Sequence, residues 1–149
     1  MHLPRLLQTQ GIKSREAGQP NFRSGSMPNA AFSEAEKSSV TAACEHLITD
    51  FMKPRFLPEI RPTPFNYPVD ILGKWRGAQY RFIQRYRSGF PDNLGEEFDA
   101  PFTRLDGIGR GRFDIQWRRH TGQWWRLYSG LTLVEAIAAI KANGHLHPL

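Results

Sequence analysis

The chain has 149 residues, with 20 basic and 14 acidic side chains, five histidines and one cysteine. That length suits one domain whose core needs no covalent staples, and the lone Cys44 excludes both an internal disulfide and a thiolate pair for zinc. No apolar run approaches the roughly 20 residues of a bilayer span, and residues 1–7 lack the apolar stretch of a secretory signal, so a cytoplasmic protein without a membrane partner is expected.

The net charge of +6 is unevenly placed. Arg5, Lys13, Arg15 and Arg23 face only Glu16 within residues 1–26, a surplus of three that leaves 16 basic against 13 acidic residues for the remainder. The part that folds is therefore only mildly basic, which weakens global charge as a sign of nucleic-acid binding. Arginine outnumbers lysine 15 to 5; guanidinium groups suit bidentate contacts to anions, although genome base composition produces the same bias.

Residues 1–31 mix Pro, Gly, Ser, Gln and Asn with scattered basic residues and no sustained period, the composition of a disordered basic tail. Pro4, Gly11, Gly18 and Pro20 would interrupt the amphipathic helix of a transit peptide. Met27 is read as the true start, which makes residues 1–26 a mis-assigned extension or an optional tail, and residues 32–149 form the single domain.

Ser33-Glu34-Ala35-Glu36 is a capping box, and Val40, Ala43, Cys44, Leu47, Ile48 and Phe51 follow at three- and four-residue steps, one apolar stripe of a helix. Cys44 falls inside that stripe, where a thiol is inert. Pro54 is expected to stop the helix, and Pro58, Pro62, Pro64 and Pro68 keep the connector extended. Strands are expected over Val69 to Trp75 and Gln79 to Tyr86, joined by a tight turn with Gly77 at its first central position. Tyr80, Phe82 and Tyr86 share one face of the second strand, and Arg81, Ile83 and Arg85 the other.

Arg87 to Phe98 is the longest turn-rich connection, of a length often associated with function. A short third strand over Pro101 to Leu105 leads to Asp106-Gly107-Ile108-Gly109-Arg110-Gly111. A dinucleotide loop must open a helix, and this glycine string opens a strand, so a phosphate-loop reading fails. In Arg112 to Tyr128, Phe113, Ile115 and Trp117 alternate with Asp114, Gln116 and Arg118, and after His120-Thr121-Gly122-Gln123 the run Trp124, Trp125, Leu127 and Tyr128 returns along them, a hairpin carrying aromatics that dominate a small core. Thr132 to Glu135 is a second capping box, Leu133, Val134, Ile137 and Ile140 give an apolar face, Asn143-Gly144 supplies the stop, and residues 145–149 read as an extended tail. The fold class is therefore α+β, with an antiparallel sheet of about five strands and an N-terminal and a C-terminal helix packed on one face.

The order of Phe32-Ser33-Glu34, Arg55…Pro58…Arg61-Pro62, the Gly77 hairpin, Arg85-Tyr86-Arg87, and Trp117-x-Arg119 with Trp124 and Tyr128 ahead of the last helix resembles a bacterial family known as domain of unknown function 3024. The resemblance covers about Phe32 to Pro148. It implies a fold and no activity or cofactor. The family pattern has tryptophan where Phe113 stands, one residue fewer between Trp124 and Tyr128, and a glycine-ended aromatic tail in place of His145-Leu146-His147-Pro148-Leu149; the extra residue predicts a bulge near Trp125.

Three patterns carry possible chemistry. His145 and His147, two apart on an extended tail, would point the same way and lack a third ligand, so no metal is expected. His120 with Glu96 or Glu97 would make an acid/base pair if the long loop folded over the hairpin turn, but a histidine in a turn needs no such explanation, and no catalytic residue is assigned. The third pattern is the second sheet face. Alternation projects Arg81, Arg85, Arg104, Arg118, Trp124, Arg126 and Tyr128 onto it, which would supply guanidinium groups for phosphate and rings for base stacking. The plainer reading is a solvated face with arginine stems over rings and Asp114 and Asp70 as partners. The expected function is a non-enzymatic binding or accessory module without cofactor, taking nucleic acid or another anion on the Arg/aromatic face; the alternative is a protein-interaction or assembly module with an exposed patch at Trp124 and Trp125.

Overall fold

The computed structural model describes residues 32–148; the basic N-terminal segment and Met27 lie outside the described residues. Helix α1 (Glu34–Leu47) starts at the anticipated capping box: Ser33 Oγ accepts from the Glu36 N–H at 3.1 Å, and Glu36 Oε1 accepts from the Ser33 N–H at 2.8 Å. Val40, Cys44 and Leu47 are buried along one stripe, which Ile48 and Met52 extend. Burial pushes the Cys44 thiol far up, helped by the neighbouring Glu45 charge, so it stays protonated and unreactive.

Pro54 does not end the helix. A π turn at Ile48–Met52 widens the winding, with the Lys53 N–H bonding back to the Ile48 carbonyl, and Pro54 then sits in the first turn of the short helix α2 (Lys53–Phe56). A proline there lacks an N–H that the first turn leaves unpaired in any case.

Five strands follow as an antiparallel meander, paired in chain order: β1 (Asn66–Arg76), β2 (Gln79–Ser88), β3 (Glu97–Gly109), β4 (Arg112–Arg118) and β5 (Trp124–Leu131). The β1–β2 turn is Gly77-Ala78, with Gly77 at φ 60°, the positive value its first central position requires. Strand β3 is much longer than the expected Pro101 to Leu105. Its alternation is broken at Phe102, where Thr103 pairs with Phe82 and Pro101 with Ile83, and its glycines belong to the strand. Gly107 is one of them because the Phe32 ring lies where a side chain would stand: a Cβ would be 2.2 Å from it. Arg110-Gly111 then turns the chain directly into β4, so no helix follows the glycine string. The long connection after β2 contains a 3-10 turn at Pro91–Asn93 and is tied by Ser88 N–H to Glu96 O at 2.8 Å, Gly95 N–H to Ser88 O at 2.9 Å and Gly89 N–H to Phe65 O at 2.7 Å.

Helix α3 (Leu133–Ala142) begins at the second capping box, Thr132 with Glu135, and ends at Asn143. The tail beyond is not extended. Gly144–Leu146 forms a 3-10 turn, Leu146 is fully buried, and its carbonyl accepts from Thr103 Oγ1 at 2.9 Å. Both helical segments pack on the same face of the sheet: Val40, Leu47 and Met52 from one, Ala136 and Ile140 from the other, meet Ile71, Phe82, Leu105, Ile115 and Tyr128 in one core. Each large aliphatic side chain removed from water there contributes about 1.5–3 kcal/mol. Trp75 joins helix to sheet through a 2.8 Å bond from its Nε1 to Thr41 Oγ1.

Candidate anion-binding face and adjoining groove

On the sheet face opposite the helices, cross-strand pairing places Lys74, Arg81, Arg104, Gln116 and Arg126 in one row from β1 to β5, because residues directly opposite one another share a face. Trp124 pairs with Arg118 and draws in three strands. The guanidinium carbons of Arg104, Arg118 and Arg81 lie 4.9, 5.6 and 5.9 Å from its ring centroid, within cation–π range. Alternation in β2, β3 and β4 thus brings Arg81, Arg104, Arg118 and Trp124 together as the sequence implies.

The cluster is not evenly neutralised. Arg104 holds Asp106 through a bidentate pair of 2.7 and 2.8 Å, whereas Arg81 donates to the neutral Gln79 Oε1 at 3.0 Å, and no carboxylate among the described residues pairs with Arg81 or Arg118. Arg81 Nε is buried without a hydrogen-bond partner. Burial, and then the charges of Arg76 and Arg104, pull the Arg81 pKa down, with Arg118 adding to the effect. Guanidinium groups crowded this way favour an anion between them.

Arg85 and Arg126 lie on this face outside the cluster and are paired with carboxylates. Arg85 is held by Asp99 at 2.7 and 3.1 Å, and the hydrogen bond from Arg85 depresses the Asp99 pKa. Arg126 approaches Asp114 at 3.5 Å. Asp114 is buried, which raises its pKa, and the Gly130 N–H and the Arg126 charge only partly offset that. Asp70, the other expected partner, instead contacts Lys53 at 3.2 Å across the molecule.

Tyr128 does not belong to this face. It is 1% exposed in the core, its hydroxyl accepting from Asn143 Nδ2 at 3.2 Å. The cause is a bulge: Ile115 pairs with Tyr128 but the next residue, Gln116, pairs with Arg126, leaving Leu127 as the extra residue. Period-two counting from Trp124 through Arg126 therefore fails one step before Tyr128. The bulge falls at Leu127, two residues past Trp125 and within the interval that carries the extra residue, and a second follows at Ser129-Gly130. The odd spacing in the family pattern was the signal available for it. The suggested tryptophan patch divides as well: Trp125 pairs with Trp117 and Trp124 with Arg118, on opposite sides of the ribbon.

On the helix side, beyond the end of α3, a groove of about 710 Å³ opens over β2, β3 and β4. Its floor includes Gln84, Tyr86, Phe102 and Trp117, and the C-terminal turn supplies His145 and His147 as a wall. Sequence reasoning missed it, because no local motif joins residues from four separate segments. The two histidines are separated rather than parallel. The His145 ring stands edge-on to Trp117 at 4.7 Å, whereas His147 packs near Phe51 and Phe56 and its Nε2 donates to the Ile140 carbonyl at 2.8 Å. His120 lies on the groove rim, while Glu97 is bound to Arg87 at 2.8 Å; no acid/base pair unites them. Among the described residues no three His, Cys, Asp or Glu side chains are grouped to hold a metal, and no helix is long and apolar enough to cross a membrane.

Neither a curated protein nor a solved structure matches the chain. A family model described as "Domain of unknown function (DUF3024)" matches residues 32–147, and with the strand order, the arginine cluster and the groove now in place, the chain belongs to that family.

Proposed function

We propose that the protein is a non-enzymatic binding module of the bacterial cytoplasm that takes the phosphate groups of a single-stranded nucleic acid on its open sheet face. The observation that carries this reading is the convergence of Arg81, Arg104 and Arg118 on Trp124 with a carboxylate partner for Arg104 alone. Trp124 works here as a platform that orients cations, and with Tyr128 in the core the face offers phosphate contacts more than base stacking. Sequence preference should accordingly be weak. Titrating a fluorescein-labelled oligothymidylate by anisotropy at several salt concentrations tests this. Affinity should fall linearly with log salt, and Arg81→Ala/Arg118→Ala should shallow that slope by about 1.4, two lost phosphate contacts at roughly 0.7 each. An unchanged slope and affinity in the double variant would end the proposal.

A partner-protein reading keeps one specific support, Trp125, which is 50% exposed beneath the Arg119 guanidinium at 4.8 Å. Trp125→Ala should then reduce a self-association seen by light scattering while leaving oligonucleotide binding intact.

A further inference from the structure

The groove on the helix side, which shares only Arg118 with the arginine cluster, carries a second inference. Its volume, about 710 Å³, lies within the range of small-molecule sites, and its surroundings select the occupant. Tyr86, Phe102 and Trp117 give it flat walls, with Tyr86 itself stacked on Phe98 at 5.3 Å and 11° between planes. Such walls favour a planar ring over a branched aliphatic chain. At its floor the Gln84 side chain is 2% exposed and accepts from the Tyr86 hydroxyl at 2.9 Å, a fixed polar element beside the aromatic rings.

The rim has one sign of charge. Arg119 and His120 border the opening with Arg118, and no carboxylate among the described residues lines it. The Arg119 guanidinium lies 5.8 Å from the Trp117 ring and 4.8 Å from that of Trp125, and its buried Nε has no hydrogen-bond partner. No carboxylate among the described residues pairs with Arg119, so the outer N–H groups of its guanidinium are open to the oxyanion of a ligand in the groove. From these features we propose that the groove is a binding site for a small planar aromatic anion, its ring against Trp117 and Phe102 and its carboxylate or equivalent oxyanion at Arg119.

The test is a ¹H–¹⁵N correlation titration of the full chain with 1-naphthoate and, separately, with naphthalene-1-methanol, a neutral molecule of similar shape. Naphthoate should saturate, shift the signals of Ala100, Phe102, Gly144, His145 and the Trp117 indole, and bind roughly tenfold more tightly than the alcohol, the worth of one charge-assisted hydrogen bond. Arg119→Gln should remove that preference, and Ala100→Trp, which places an indole beside Gln84 on the floor, should abolish binding of both. Melting temperatures establish that each variant folds, and Arg119→Gln decides the matter if Ala100→Trp does not. Equal affinity for acid and alcohol, undiminished binding in Arg119→Gln, shifts centred on Arg81 and Trp124, or no saturation at all would each overturn the proposal. Arg118 borders both sites, so the single variant Arg81→Ala, outside the groove lining, tests the sheet face and Arg119→Gln the groove, and the two sites fail or stand separately.

Discussion

The two faces of the sheet are made of the same five strands and differ in what neutralises them. On the helix side, Phe82, Ile115 and Tyr128 lose their water to α1 and α3 and need only shape to fit. The other face stays open, and its order comes from charge: Arg85 with Asp99, Arg104 with Asp106 and Arg126 with Asp114 are held pairwise, while Arg81 and Arg118 gather at Trp124. One face stores the stability and the other presents unspent positive charge. Partly exposed ion pairs are individually weak, about 0–1 kcal/mol, so the open face can be altered for binding at little cost to folding.

The sharpest way to break that division is from the covered side. Phe82→Ala, at a fully buried position, should lower the unfolding free energy by about 3–5 kcal/mol, measured by urea titration, whereas the arginine variants that cut oligonucleotide binding should leave that free energy within about 1 kcal/mol of the parent.

Deleting Leu127 probes how the faces are assigned. Because the bulge absorbs this residue, the shortened strand should keep Trp124 and Arg126 outward and Tyr128 inward by plain alternation. The loss should be about 1 kcal/mol, from a partly buried leucine, with the Trp124-dependent binding retained. Unfolding of this variant, or exposure of Tyr128 to solvent-borne quenchers, would show that the bulge is not what sets the two faces.

The smallest effect is in pH. The Asp99 pKa is depressed by Arg85, so its contribution is present above the unfolded-state value and is lost as pH falls through the lower folded one. Asp114 has the opposite sign. With its pKa raised by burial, it favours the folded state below the unfolded-state value, and that contribution disappears as pH rises through the folded value. Melting curves from acid to neutral pH should therefore show Asp99→Asn flattening the acid limb and Asp114→Asn flattening the decline just above the ordinary aspartate range.

Features that depend on a few neighbouring residues were legible before any coordinates. Both capping boxes, the positive φ at Gly77, and the alternation of Phe113, Ile115 and Trp117 in β4 follow from short-range chemistry. The sheet order and the two flanking helices followed from these. What escaped depended on irregular winding or pairing, or on partners remote in sequence. Pro54 was absorbed by a π turn that ends two residues before it, the C-terminal turn folded back because Thr103 and the core receive Leu146, and Tyr128 changed face through one unpaired residue. The shared face of the arginines was read from period two, which describes the strands wherever they are regular. The groove was invisible because its floor and wall meet only once the chain has closed.

The bulges have one more effect. Both outermost strands are irregular: β1 carries an extra residue at Val69, next to Pro68, and β5 carries its two at Leu127 and Ser129-Gly130. A strand from another molecule laid along either margin would find its ladder of amides and carbonyls out of step within a few residues. The meander is thus hindered from growing sideways into stacked chains, and its open face and the groove beyond α3 are left as the places where other molecules can be met.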